Sequence, residues 1–342
     1  MTSAIRVHRY GGPDVLEWER RDPGDPGPGE VRIAHDAVGL NFIDVYHRTG
    51  RYPEPLPFTP GVEGAGVVEA VGAGVSRFAV GDRVAYVDGP LGAYCEARLL
   101  PADRAIHLPD SVSAQTAAAL MLRGMTAYVL VRRVYRVQAG DAILVHAAAG
   151  GMGAILCEWA TSLGATVIGT VSRASKVAFA RSHGCAHPIV TADEDFVTRV
   201  REITDGRGVA VVYDSIGKDT LLPSIDCLRP LGHLVSYGQS SGAPAPIEVG
   251  LLARKGSLSL TRPMLFHFIV ARSDLETAAD AVFRQLAAGH VSSPAPRAYA
   301  LSDVAQAHRD LEARTTTGSS VLLVHPTESR TNAPKKAGPH AP

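Results

Sequence analysis

In the first third of the chain, apolar residues come in short β-type runs cut apart by Gly and Pro. Beyond about Ser113 they come in longer runs that alternate with helical spacing. Val31–Ala34, Gly66–Val71 and Asp82–Tyr86 are the clearest early strands, and they predict an irregular, mostly antiparallel barrel or sandwich. Asp22–Glu30 reads DPGDPGPGE, too rich in Pro and Gly for a helix or a central strand, and is a turn-rich connection. Ala114–Arg133 is rich in helix formers. After it the strands Ala142–Val145, Thr166–Thr170, Val209–Tyr213 and Leu234–Tyr237 alternate with helical patterns, the signature of βαβ crossovers and a parallel sheet. Beyond Phe266 come a helix, Leu275–Ala288, and a strand, Ser320–Val324, expected to rejoin the first unit. The pattern predicts an α/β chain: a β-rich unit over 1–125 completed by 266–326, a doubly wound parallel-sheet unit over 126–265, and a polar, Pro-rich tail over 327–342 expected to be disordered.

The segment Ala142–Gly153, AILVHAAAGGMG, is an apolar strand running into a glycine-rich turn that opens an amphipathic helix. In the dinucleotide fingerprint the first glycine makes the tight turn, the second admits the pyrophosphate and the third permits close helix packing. Here those places hold Ala148, Gly150 and Gly153, with Gly151 as an added glycine. Backbone N–H groups at such a helix start face a bound anion, which makes Ala149, Gly150, Gly151, Met152 and Gly153 candidate cofactor residues. About 20 residues further on, an NAD site offers Asp or Glu to the ribose hydroxyls. The segment after the second strand instead reads VSRASK, so Ser172, Arg173 and Lys176 present a hydroxyl and two cations where a 2′-phosphate would sit. That favours NADPH over NADH.

Composition narrows the class. At 342 residues and 46% hydrophobic, the chain has material for two globular domains. Lys plus Arg and Asp plus Glu both number 34, so no general basic field exists to hold nucleic acid or an anionic membrane. Cys95, Cys157, Cys185 and Cys227 are widely separated and form no C-x-x-C pair, which suits a reducing compartment. The N-terminus carries no apolar signal-type stretch and no run reaches the length of a membrane span, so a cytoplasmic protein is expected.

Further segments extend the pattern: Gly39–Asp44 (GLNFID) with Tyr46 and Tyr52, GVEGAGVVEAVG from Gly61, HAAAGGMG from His146, VVYDSIGKDT from Val211, VSYGQSSG from Val235, LTRP from Leu260, and TTTGSSVLL from Thr315. Together they make the chain, over nearly all of residues 1–325, resemble the zinc-free quinone oxidoreductases, the zeta-crystallin-like branch of the medium-chain dehydrogenase/reductase superfamily. The resemblance implies a GroES-like β-rich domain holding a Rossmann domain, an NADPH site in the cleft between them, a homodimer and reduction of small-molecule quinones. It further implies that Asn41, Tyr46 and Tyr52 lie beside the nicotinamide and substrate. The glycine turn, Ser172, Arg173 and Lys176 would hold the phosphates, with further cofactor contacts from Tyr237, Gln239 and Thr317. Two departures bear on the strength of NADPH preference: Thr191 and Val129 stand where close relatives carry tyrosines. Ser257–Thr261 is the apolar strand expected at the dimer edge.

The wider superfamily includes zinc alcohol dehydrogenases, whose catalytic metal needs a Cys, a His in a G-H-E-x-x-G motif and a third ligand. Asn41 and Val62 replace the first two, and no cluster of four cysteines exists for a structural zinc, so no metal is expected. The isolated His35, His47 and His146 read as core or surface groups, and Ser172 and Ser236 as hydrogen-bonding loop residues rather than nucleophiles. Arg262 in LTRP divides evenly between a cleft residue and part of a structural turn. Without zinc, a quinone remains a competent hydride acceptor because it becomes an aromatic hydroquinone anion, with Asn41 and Tyr52 as donors to the growing oxygen charge. A 2-alkenal or enone is the alternative acceptor, since conjugate addition gives a delocalised enolate. An NADPH-binding regulatory protein, including one that binds RNA, is the alternative of another class, and the neutral charge counts against it.

Overall fold

Alternation of apolar and polar residues after the Pro-rich connection produces a ten-residue strand whose inward positions, from Val31 through Ile33 and His35 to Ala37, are buried one after another. The computed structural model describes residues 1–292, 295–313 and 315–324; the tail expected over 327–342 lies outside the described residues. In chain order the first unit contains β1 (Thr2–Arg6), β2 (Glu17–Arg21), β3 (Glu30–Gly39), the short helix α1 (Phe42–Arg48), β4 (Gly64–Val71), β5 (Arg83–Tyr86), β6 (Ala97–Pro101) and β7 (Ile106–His107). β3 pairs antiparallel with both β4 and β6, and β5 links β4 to β7, so the sheet is mostly antiparallel as the pattern predicts. Asp22–Glu30 carries no regular structure until its last residue enters β3.

Helix α2 (Ala114–Tyr128) begins where Ser113 Oγ accepts the Thr116 N–H at 3.0 Å. The helix expected to run to Arg133 is α-helical only to Tyr128. Val129–Val134 continues as a π-helical segment, in which Tyr135 N–H reaches back five residues to the Leu130 carbonyl at 3.1 Å. The boundary drawn after residue 125 therefore falls inside α2. This helix packs on β3, β4 and β5 and also against the helix Gly151–Ser162 of the second unit.

The second unit alternates β8 (Ala142–Val145), α3 (Gly151–Ser162), β9 (Thr166–Val171), α4 (Val177–Ser182), β10 (His187–Val190), α5 (Phe196–Ile203), β11 (Val209–Asp214), α6 (Leu221–Ile225), β12 (Leu228–Ser236), α7 (Val249–Arg254) and β13 (Ser259–Thr261). All its strands pair in parallel, in the order β10-β9-β8-β11-β12-β13. The central strands are buried on both faces: Ile143, Leu144, Val145, Val211 and Val212 expose nothing. β12 starts six residues before the expected Leu234, because its first part pairs with β11 through an irregularity near Leu231, whose backbone is left-handed (φ 61°). The predicted edge segment is β13, at one end of the sheet. The chain then returns through α8 (Arg272–Ala287), β14 (Arg297–Ala300), α9 (Val304–Glu312) and β15 (Ser320–Leu323), and β15 pairs antiparallel with β3. The result is a GroES-like β-rich domain and a Rossmann-type parallel sheet.

Candidate active site

Six parallel strands and the start of α1 deliver their ends to one cleft of about 470 Å³. From β8 comes the glycine turn. Ala148 stands in the first-glycine place of the fingerprint, but the left-handed turn residue is Ala147 (φ 53°), an uncommon conformation for a residue with a Cβ. Gly150 N–H closes the turn on the Ala147 carbonyl at 2.8 Å. The third glycine has a steric reason: a Cβ on Gly153 would lie 2.2 Å from that same carbonyl oxygen, so only Gly lets α3 start so near the turn. Ala149, Gly150, Gly151, Met152 and Gly153 all line the cleft.

After β9, Ser172 and Lys176 line the cleft, and Lys176 Nζ donates to the Thr316 carbonyl at 3.4 Å. Arg173 is exposed beside them and does not line it. Thr317 is likewise off the wall, although its neighbours Thr316 and Gly318 are on it, and Gly318 bridges to Gly150. Thr191 and Val129, the two departures from the family pattern, both face the cleft.

At the other end, Asn41 is the N-cap of α1, and its backbone N–H donates to Asp44 Oδ2 at 2.8 Å. Its side-chain Nδ2 donates to Glu63 Oε1 at 2.6 Å, and Glu63 Oε2 accepts the Leu122 N–H at 2.8 Å. Burial pushes the Glu63 carboxyl above its ordinary value, opposed by the neighbouring Arg123 cation and the Asn41 bond. Arg123, buried and lining the cleft, donates to the carbonyls of Ala119 (2.8 Å) and Leu40 (2.6 Å). The sequence reading missed it. The available signal was a lone cation within an apolar helix, which is rare unless paired.

Tyr46 and Tyr52 meet edge to face at 5.3 Å between ring centroids, and both line the cleft with Asn41. Tyr237 lines it from the end of β12. Gln239, expected as a cofactor contact, does not line the cleft; its N–H donates to the Tyr46 hydroxyl at 3.1 Å and its carbonyl accepts from Arg51 Nη1 at 3.0 Å. Both readings of Arg262 hold, since it lines the cleft while Nη1 is tied to the Ser236 and Gly238 carbonyls at 3.0 and 2.7 Å.

The donor set does not fit a catalytic zinc. Among the described residues lining the cleft there is no Cys, Asp or Glu and a single imidazole, His267. The four free cysteines are buried elsewhere, and among the described residues the one group of His and acidic side chains close enough to share an ion, His8, Glu17 and Glu19, lies at β2 and the segment after β1, away from the cleft. His35 and His146 are core groups: His35 meets the Cys95 carbonyl and the Tyr86 hydroxyl at 2.8 Å each, and His146 meets Thr170 Oγ1 and Ser224 Oγ at 3.0 and 2.8 Å. His47 faces Glu54 at 3.3 Å. The cleft does fit a dinucleotide: it has a glycine cradle that a Cβ would fill, a helix start facing it, and cations without acids.

Residues 27–110 match the alcohol dehydrogenase GroES-like domain and residues 151–284 the zinc-binding dehydrogenase domain. A quinone oxidoreductase of Pseudomonas aeruginosa is 48% identical, covering 94% of this chain and 100% of the relative. A 2-haloacrylate reductase of a Burkholderia species is 47% identical, covering 94% and 99%. The crystal structure of Escherichia coli quinone oxidoreductase complexed with NADPH superimposes with a TM-score of 0.92 at 44% identity, covering 94% of this chain and 99% of that one. The glycine turn of β8, the cation after β9 and the Asn41–Tyr46–Tyr52 wall thus stand in a chain that belongs to the quinone oxidoreductase family of the medium-chain dehydrogenase/reductase superfamily.

Proposed function

We propose that this protein is an NADPH-dependent quinone oxidoreductase that reduces small-molecule quinones by direct hydride transfer without zinc. The observation that carries the reading is one continuous cleft with a glycine turn and Lys176 at one end and Asn41, Tyr46 and Tyr52 at the other. Gly150, Gly151, Met152 and the start of α3 would hold the pyrophosphate, and Ser172 and Lys176 the adenosine phosphate, with Arg173 and Thr317 in reach from adjoining loops. Bound NADPH supplies the hydride. Asn41, kept in place by Glu63 and by the Asp44 cap, and Tyr52 donate hydrogen bonds to the quinone oxygen as its charge grows, and loss of one such donor costs roughly a hundredfold in rate. Tyr46, held by the backbone N–H of Gln239, and Tyr237 form the wall that excludes water and fixes reacting geometry.

The identity shared with a 2-haloacrylate reductase supports activated alkenes as a second acceptor class. Anaerobic consumption of NADPH and, separately, NADH with quinones and enones, using chelator-treated protein, tests all of this together. Fast NADPH-dependent quinone reduction that survives chelation is expected, and tight NADPH binding without turnover would refute it.

A homodimer joined along β13 is part of the proposal, supported by its edge position and the exposed Leu260. Leu260→Asp should then give monomers in sedimentation. Among the described residues no helix is long and apolar enough to cross a membrane. Four free cysteines support a reducing, cytoplasmic location, and the balanced charge speaks against nucleic acid as a partner.

A further inference from the structure

The chain as a whole is neutral, with 34 basic and 34 acidic residues, yet among the described residues its cleft is lined by Arg123, Lys176 and Arg262 and by no acid. Arg123 is answered by Glu63 behind the wall. Lys176 follows β9 and Arg262 follows β13, four strand spacings away in the sheet order, or about 19 Å. One dinucleotide phosphate cannot engage both, so the cation at the acceptor end needs its own explanation.

Arg262 is held in one orientation by Nη1, which donates to the Ser236 carbonyl, Ser236 Oγ and the Gly238 carbonyl at 3.0, 3.2 and 2.7 Å, and it forms no ion pair among the described residues. Its remaining N–H groups are left for a ligand. Arg51 is exposed and does not line the cleft, but it lies over the Tyr46 ring. Its guanidinium lies 5.2 Å from the ring centroid, Nη1 is tied to the Gln239 carbonyl, and it too has no carboxylate partner among the described residues. Glu54, an acid on the same loop, faces His47. Both cations lower the Tyr46 hydroxyl against the upward push of burial. Phe42, Pro263, Met264 and Phe266 supply apolar walls beside them. An apolar slot with the oriented, unpaired Arg262 guanidinium on its wall and a second unpaired guanidinium over the neighbouring tyrosine suits a flat ring or alkene carrying an anionic oxyacid group.

We propose that the acceptor end of this cleft selects substrates bearing a carboxylate beside the reducible ring or double bond, with Arg262 as the residue that contacts it and Arg51 as a supporting charge over Tyr46; this rests on the reductase reading above. The reaction balances as NADPH plus one proton plus quinone giving NADP+ and hydroquinone, with the carboxylate unchanged.

The test pairs a naphthoquinone carrying a propanoate side chain with its methyl ester, whose rings share the same electron affinity. For the unaltered protein the acid should show a KM about tenfold lower than the ester with similar kcat, the size expected of one charge-assisted contact with a supporting charge nearby, partly screened. The ratio should shrink as salt is raised. Arg51→Gln and Arg262→Gln should each reduce it, and Arg262→Lys should restore part of it. Arg51→Gln serves if the Arg262 variants fail to fold. Reduction of both compounds with equal KM, or a ratio untouched by Arg51→Gln and by salt, would overturn the proposal while leaving the reductase reading intact. Failure to reduce either compound with NADPH would overturn both.

Discussion

Replacing Glu63 by Ala should destabilise the protein by about 3–5 kcal/mol, the cost of leaving two buried donors without their acceptor and the nearby buried Arg123 without its counter-charge. The side chain is 1% exposed, and each oxygen has one donor: Asn41 Nδ2 at 2.6 Å and the Leu122 N–H at 2.8 Å. Without it those two donors lose their acceptor, at about 1–3 kcal/mol for an unpaired buried group. Arg123 loses its counter-charge as well. The total stays within the quoted range because Arg123 keeps its bonds to the Ala119 and Leu40 carbonyls. Urea unfolding of Glu63→Ala, Arg123→Met and the double variant measures the coupling, and the double variant should lose at least about 1.5 kcal/mol less than the sum of the singles. Glu63→Gln should fall between, since an amide can accept only one of the two N–H groups. Additive losses, or single losses below about 1 kcal/mol, would refute the paired-charge account. In variants that fold, Asn41 loses its tether, so quinone turnover should drop even where NADPH still binds.

Lys176→Ala should weaken NADPH binding about 10- to 100-fold, the worth of a charge-assisted bond to phosphate, and NADH binding far less. Fluorescence titration with both nucleotides measures this, and equal losses would remove the phosphate assignment. Gly153→Ala should lower both stability and dinucleotide affinity, because the added Cβ would stand 2.2 Å from the Ala147 carbonyl oxygen and must push α3 off the turn; a variant with unchanged urea midpoint and affinity contradicts that. Arg48 can only donate, so its 3.0 Å contact makes His308 Nδ1 an acceptor and leaves the proton on Nε2, facing the Tyr94 hydroxyl, which donates to Asp44 Oδ2. Burial and the Arg48 charge depress the His308 pKa from 6.5 to about 3. Its stabilising contribution is therefore present above pH 6.5 and lost as pH falls toward about 3. Asp44 works with the opposite sign: burial raises it from 3.8 to about 7, so its contribution is present below 3.8 and lost as pH rises toward 7. His308→Gln can keep the same donor and acceptor pattern, and its stability relative to the unaltered protein should improve steadily from pH 7 to pH 4. A constant difference across that range would show that His308 protonates freely.

Local chemistry by itself determined the parallel-sheet unit. Apolar strands such as Ala142–Val145, buried on both faces, differ in pattern from the alternating Glu30–Gly39, and the glycines after β8 have backbone roles that a sequence displays directly. It also determined the cation-bearing loop after β9, because offset from the glycine turn is a property of the βαβ unit. What only the tertiary structure decided involves partners far apart in the chain. Asn41 needs Glu63, 22 positions away, and Glu63 needs Arg123, on a helix that a propensity pattern shows only as a good helix. Tyr46 meets Gln239 across 193 positions. The left-handed residue fell at Ala147 rather than Ala148, and α2 loosened into a π-helical segment at Val129, because packing and hydrogen bonding around each place outweighed local preference. The shared cause is burial: a charge or hydroxyl removed from water must find its partner in space, and spatial proximity is set only once both sheets have closed around the cleft.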